Sequence, residues 1–230
     1  MMKKMLCSTI LLGIVLTGCA TTPLTYDYST YKSNMPKSIL VLPPINNTPD
    51  VKATYGYWTT VDQPVAEAGY YVFPMSIVDK MLKENGVTNG NDAQSIPTTK
   101  LREVFGADAV LYIKVTEYGT KYQLIQSVTS VAAEAKLVDL RTNQVLWEGK
   151  QSIAQPTNNS GGNLIGMLAS ALIDQISSSL NDSAHTYSNA LNYQLFTPYD
   201  KSNANSTMSS RQSSGLLYGP RSPKYLQERP

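Results

Sequence analysis

Few side chains in this sequence of 230 residues could do chemistry. One histidine, His185, and two cysteines, Cys7 and Cys19, are its whole supply of imidazole and thiol. A serine or cysteine nucleophile needs a base beside it, oriented in turn by a third group. His185 stands beside Thr186 with no Gly-x-Ser-x-Gly elbow anywhere in the chain, and it reads as an ordinary helix-end residue. Zinc and iron–sulfur sites need clustered Cys and His, so this inventory excludes them, and it excludes a disulfide scaffold too. The 17 acidic residues are scattered singly. Asp174 and Asp182, eight positions apart, are too distant to share a metal. Ser160-Gly161-Gly162-Asn163 precedes a helical pattern but lacks the lysine and spacing of a phosphate loop, and reads as a flexible turn with a cap. Whether two acids converge on a glycan depends on geometry that spacing does not give. No metal and no dissociable cofactor is expected. Lys plus Arg is 19 against 17 acids, and only 16% of residues are charged, so nothing in the charge points to nucleic acid.

Cys19 carries the one clear chemical signature. Lys3 and Lys4 make a basic start, and Leu6 to Leu16 is an apolar run too short to span a bilayer. Leu16-Thr17-Gly18-Cys19 follows, and it resembles the lipobox of bacterial lipoproteins. That resemblance implies cleavage before Cys19, and a covalent diacylglycerol and acyl chain on the new terminal cysteine. Ala20 in place of aspartate implies sorting to the outer membrane. Removing Cys7 with the leader leaves one cysteine, itself lipidated, and hence no disulfide within the chain. Removing Lys3 and Lys4 leaves 17 basic and 17 acidic groups, a formal charge of zero. Membrane attachment must then come from the lipid, at about 0.8 kcal/mol per buried CH₂.

Two further features suggest contacts. Tyrosine outnumbers phenylalanine 15 to 3, and Tyr55, Tyr57 and Trp58 crowd one short stretch, followed by Tyr70 and Tyr71. Large rigid rings with polar tips favour binding hot spots, so these five are expected to form a partner-binding surface. The alternative is an aromatic lid over the sheet. Gly162, Gly166 and Ser170 recur every four residues and give a flat helix face, either for packing on the chain's own sheet or for a homo-oligomeric contact.

The elements that must position these groups read as a single α+β (mixed α/β) layer domain, its mixed sheet including an antiparallel meander packed by helices. Residues 1–18 read as a signal peptide, 19–36 as a lipidated N-terminus and tether, 37–200 as the globular domain and 201–230 as a disordered tail. Ile39-Leu40-Val41-Leu42 is a continuous apolar run, the mark of a strand buried on both faces, stopped by Pro43-Pro44. Asn46 to Thr60 reads as a loop. A helix follows, capped by Asp62 or Gln63 with Pro64 at its first position, and Pro74 divides it from a second that Gly86 closes. Asn89 to Pro97 is turn-rich, and a short helix from Thr98 to Phe105 ends at Gly106. Ala109 to Val115 is the second strand. Tyr122 and Leu124, then Val131 to Leu137, then Val145 to Trp147 alternate with period two, with Arg141 to Gln144 as a hairpin turn. Leu164 to Leu180 has the pattern of the longest helix. The tail is almost all Ser, Asn, Thr and Gln between Ser202 and Ser214. The apolar island Leu216-Leu217-Tyr218-Gly219-Pro220 reads equally as a strip docking back or as a partner motif.

Taken together, Leu16-Thr17-Gly18-Cys19, Ile39 to Pro44, Tyr70-Tyr71-Val72-Phe73-Pro74, Gly106 to Leu111 and the end Leu217-Tyr218-Gly219-Pro220 resemble a family of outer-membrane lipoproteins of unknown function from Gram-negative bacteria. More distantly, Gly106-Ala107-Asp108 and the Val138–Leu146 hairpin are similar to the periplasmic domain of curli-secretion lipoproteins and to the N-terminal domain of TolB. The resemblance implies fold and location and carries no catalytic residues. The function expected is a non-enzymatic, lipid-anchored component of envelope assembly or secretion, facing the periplasm or the cell surface and binding protein partners. The alternatives are a glycan hydrolase using two carboxylates and a carrier of a small ligand or lipid, which would need an apolar pocket.

Overall fold

A computed structural model describes residues 26–121, 127–156, 183–198 and 215–225. Cys19, Gly162, Gly166, Ser170, the expected helix from Leu164 to Leu180 and the alternation at Tyr122 and Leu124 lie outside the described residues.

The sheet is organised by one long strand. β4 (Ala109–Lys121) is paired along one side by two short strands in succession. β1 (Ser38–Val41) runs parallel to its beginning, Ile39 to Val41 opposite Ala109 to Leu111. Pro43-Pro44 interrupts the ladder, because proline has no N–H to donate. β2 (Ile45–Asn46) then resumes on the same strand, opposite Lys114 and Val115. β3 (Tyr71–Val72) adds parallel to the other side of β1. On its far side β4 is antiparallel to β5 (Val128–Asp139), and β5 to β6 (Val145–Pro156), giving the order β3-β1-β4-β5-β6. The sheet is mixed, as the α+β reading requires. Leu40 and Val110, side by side in the middle of it, are fully buried like their neighbours Ile39, Val41, Ala109 and Leu111, so both faces of the parallel half are covered.

Helices bracket this sheet. α1 (Ser29–Ser33) buries Tyr31 completely, so the chain from Tyr26 onward is part of the fold and not tether. The expected tether to residue 36 is corrected accordingly. Its three tyrosines supply apolar area that a polar-looking segment hides from a periodicity reading. α2 (Ala53–Trp58) occupies the stretch read as a loop. It lies so close to β4 that a side chain on Gly56 would strike the Tyr118 ring, and this packing overrides weak helix propensity. α3 (Asp62–Glu67) starts two residues before Pro64, without a side-chain cap. α4 (Met75–Glu84) follows Pro74. α5 (Gly90–Ser95), unforeseen in the turn-rich stretch, is capped by Asn89, whose side chain accepts from the Asp92 amide at 2.9 Å. α6 (Thr98–Phe105) ends at Gly106 in the left-handed conformation, φ 66°, as the sequence indicates. α7 (Ser183–Phe196) crosses β4, β5 and β6 and sets Leu191, Leu195 and Phe196 against Trp147 and its surroundings.

Gly215 to Tyr225 docks on the domain, with Leu216 only 1% exposed. The disordered tail expected from 201 onward is corrected for these residues, and the docking-strip reading of the apolar island holds. Four apolar and aromatic residues in a polar stretch suffice to hold it because it meets a tyrosine cluster made elsewhere in the chain.

Candidate partner-binding site

The five aromatic residues expected to bind a partner divide into core and surface. Tyr57 and Trp58 are 0% and 1% exposed, and Tyr70 is 2% exposed, so none of these three can meet a partner. They are core, which is the lid alternative. On the helix α2, Tyr57 and Trp58 fall on the buried side while Tyr55, two residues back, falls on the other.

Each buried hydroxyl is engaged. Tyr57 donates to the Asn192 side-chain oxygen, Asn192 Nδ2 donates to Thr60 Oγ1 at 2.8 Å, and Thr60 Oγ1 donates to the Tyr57 carbonyl at 2.7 Å. This closed polar loop ties α2 to α7. Burial pushes the Tyr57 hydroxyl far above its ordinary pKa. Trp58 differs, because its indole Nε1 is buried without a hydrogen-bond partner.

Tyr70 belongs to a second assembly, a clasp made from both ends of the described chain. Its hydroxyl donates to the Leu217 carbonyl at 2.6 Å and stands 2.8 Å from the Tyr31 hydroxyl. Tyr28 donates to the Gly215 carbonyl. The backbone joins in, with Gly219 N–H donating to Ala68 O at 2.8 Å and Arg221 N–H to Gly69 O at 3.0 Å. Gly69, φ 100°, and Gly219 let these backbones approach, since a Cβ on Gly219 would lie 2.5 Å from the Gly69 oxygen.

Tyr55 and Tyr71 remain at the surface, 44% and 38% exposed. Tyr55 donates to Asp79 at 3.0 Å, and Lys83, ion-paired to Asp79 at 2.7 Å, sits 5.1 Å above its ring. These bonds raise the Lys83 pKa, the Asp79 hydrogen bond most of all. Tyr71 lies in a stripe along the β3 edge of the sheet. The Arg221 guanidinium covers its ring at 5.0 Å, Phe73 meets it edge-on at 5.1 Å, and Phe105 of α6 meets Phe73 at 6.3 Å. Phe73 and Phe105 are half-buried and join this surface unannounced by the sequence; the signal for Phe73 was its i, i+2 spacing from Tyr71, and Phe105 of α6 had none.

The antiparallel half of the sheet leaves one face open. An open groove of about 570 Å³ runs over it between Tyr26 and Gln94. Its floor is a charge checkerboard. Lys114, Glu134 and Lys150 stand in one cross-strand row, and Lys136 and Glu148 in the next. Lys114 pairs with Glu134 at 3.4 Å. Such a floor is unlike the apolar pocket a lipid carrier needs. His185 Nε2 faces Thr59 Oγ1 at 3.3 Å on the exposed side of α7, and among the described residues no carboxylate bonds it. Among the described residues there is no cluster of three metal-ligating groups, and no helix is long and apolar enough to cross a membrane.

The family model described as "Putative lipoprotein GNA1162-like" matches residues 26–221. The chain belongs to this family. It is similar to the Neisseria meningitidis serogroup B protein "Putative lipoprotein NMB1124/NMB1162", 44% identical over 205 residues that cover 89% of this chain and 88% of that one. The crystal structure of lipoprotein GNA1162 from Neisseria meningitidis is similar at 51% identity, with a TM-score of 0.54, over 63% of this chain and 100% of that one. The lipoprotein family read from the motifs is therefore shown. The family match runs from Tyr26, whose hydroxyl accepts the Glu148 amide, to Arg221, whose amide is held by the Gly69 carbonyl.

Proposed function

We propose that this protein is a non-enzymatic lipoprotein of the outer membrane, anchored through acylated Cys19, that holds a partner-binding domain close to the bilayer. The observation that carries this reading is the short lead from Cys19 to the fold. The Tyr26 hydroxyl accepts the Glu148 amide of β6 at 2.9 Å, so the chain is fixed to the sheet seven residues after Cys19. Seven residues at ~3.6 Å each reach at most ~25 Å. A lipid on Cys19 would hold the domain against the membrane, where a tether running to residue 36 would have let it roam. The stripe Tyr71–Phe73–Phe105 is the surface we assign to a protein partner, because exposed aromatics grouped on a rigid sheet edge favour hot spots. Family membership supports the lipoprotein reading, and the aromatic stripe at the β3 edge supports a binding role.

The test is metabolic labelling with an alkynyl fatty acid, followed by density separation of inner and outer membranes. Wild type should carry the label and sediment with the outer membrane. The Cys19→Ser variant should be unlabelled and leave the membrane fraction. Unlabelled wild-type protein, or a Cys19→Ser variant retained at wild-type level, would overturn the reading.

A further inference from the structure

Among the described residues the outer edge of β6 has no strand beside it, and we infer that a second copy of this chain fills it, β6 against β6 and antiparallel about a two-fold axis at Ser152. The phase of the edge is fixed by one bond. Glu148 gives its N–H outward, to Tyr26, so Glu148 belongs to a pair that makes no hydrogen bonds with β5. The register from Trp147 to Pro156 is unbroken, and pairs alternate along an antiparallel ladder. Lys150, Ser152 and Ala154 therefore also point their N–H and C=O groups away from β5. Among the described residues these groups have no partner, and the side chains of Ser152 and Ala154 are exposed.

An edge of this kind is ordinarily blunted by proline, a bulge or several charges. From Gly149 to Gln155 it carries one charge, Lys150, and no bulge, and its one proline, Pro156, stands at the end of the strand. One register satisfies the edge. Pairing Lys150, Ser152 and Ala154 with the partner's Ala154, Ser152 and Lys150 uses the outward groups of these three residues, each pair exchanging two hydrogen bonds, and the ladder ends where Glu148, its amide held by Tyr26, falls opposite the partner's Pro156, which has no N–H. Sliding toward Glu148 runs into the Tyr26 hydroxyl, which already holds that amide, and sets Lys150 opposite Lys150 when the axis reaches it. Sliding the other way sets Lys150 opposite Pro156, which has no N–H. At the Ser152 register each lysine faces an alanine, and the two Ser152 side chains meet at the axis, where hydroxyls can bond across strands. The result is a continuous sheet through both molecules, with the two open checkerboard faces joined into one surface.

The experiment uses the full-length lipoprotein purified in detergent micelles. Its mass by light scattering should correspond to two chains. Ser152→Cys should cross-link to itself with a short bis-maleimide, whereas Val145→Cys, exposed at the covered end of the same strand, should not. Ser152→Pro removes an outward N–H without touching the β5 ladder, which an edge strand tolerates. It should give single chains with an unchanged melting midpoint. If Ser152→Pro fails to fold, Ala154→Lys decides, since it sets two lysines face to face and should weaken the dimer at low salt, with recovery at high salt. A single-chain mass for wild type, a dimer indifferent to both substitutions, or cross-linking at Val145→Cys as strong as at Ser152→Cys would overturn the inference. None of these outcomes depends on Cys19, so this inference and the anchoring proposal fail separately.

Discussion

The Tyr31 hydroxyl lies 2.8 Å from the Tyr70 hydroxyl, and because Tyr70 gives its own proton to the Leu217 carbonyl, Tyr31 is the donor between them. A relay of two protons thus joins the first helix, the β3 strand and the C-terminal strip in a place where Tyr31 has no exposure at all.

The direction of that relay makes the two tyrosines unequal. Tyr70→Phe leaves the buried Tyr31 proton without its acceptor and should cost about 1–3 kcal/mol, the penalty of an unpaired buried group. Tyr31→Phe removes a donor and leaves Tyr70 bonded to Leu217, so it should cost about 0.5–1.5 kcal/mol. Urea unfolding of both variants and of the double variant measures the asymmetry, and equal costs would reverse the donor assignment.

Alkaline pH should weaken the fold. Burial raises the Tyr31 hydroxyl well above the ordinary tyrosine value, with the neighbouring Tyr70 adding to it, and burial alone does the same to Tyr57. The unfolded chain loses these protons near pH ~10 while the folded chain keeps them. Their contribution is therefore fully present below pH ~10 and is lost as pH rises beyond it, at about 1.4 kcal/mol per pH unit for each tyrosine. Denaturant midpoints measured between about pH 9 and about pH 11 should fall along this slope. Tyr57→Phe should flatten it.

Trp58 separates core from interface. Trp58→Ala should cost about 3–5 kcal/mol of stability as a large cavity opens. Trp58→Phe should cost much less, since it also removes the buried indole N–H that has no acceptor. Thermal melting distinguishes them; a negligible loss for the alanine variant would return Trp58 to the surface.

The clasp is sensitive to a single methyl group. Gly219→Ala drives a Cβ toward the Gly69 oxygen, 2.5 Å away, and should cost about 1–3 kcal/mol by overpacking. Limited trypsin treatment should then cut at Arg221 and Lys224 in the variant well before the core opens. In the wild-type protein the same bonds should resist, since the Arg221 amide is held by Gly69.

The sequence showed what local pattern can show. Gly106 ended its helix, Arg141 to Gln144 turned the hairpin through Asn143 at φ 58°, and the apolar run from Ile39 marked a strand covered on both sides. It failed where a residue's surroundings come from far along the chain. Tyr57 and Trp58 sat among Thr, Gly and Tyr, which looks like a binding loop until α7, more than 120 positions later, lies across them. Tyr28, Tyr31 and Leu216 looked like tether and tail for the same reason: each is apolar enough to bury only in the company of the others. The stripe was hidden by its division between Phe73, just past a two-residue strand, and Phe105 at the end of a separate helix.

The Tyr28–Gly215 bond spans 187 positions. A chain emerging N-terminus first therefore cannot seal α1 under the strip until residue 215 has been made. Completion of the core is therefore a late event in the life of each molecule, timed by the arrival of Gly215 and Leu216.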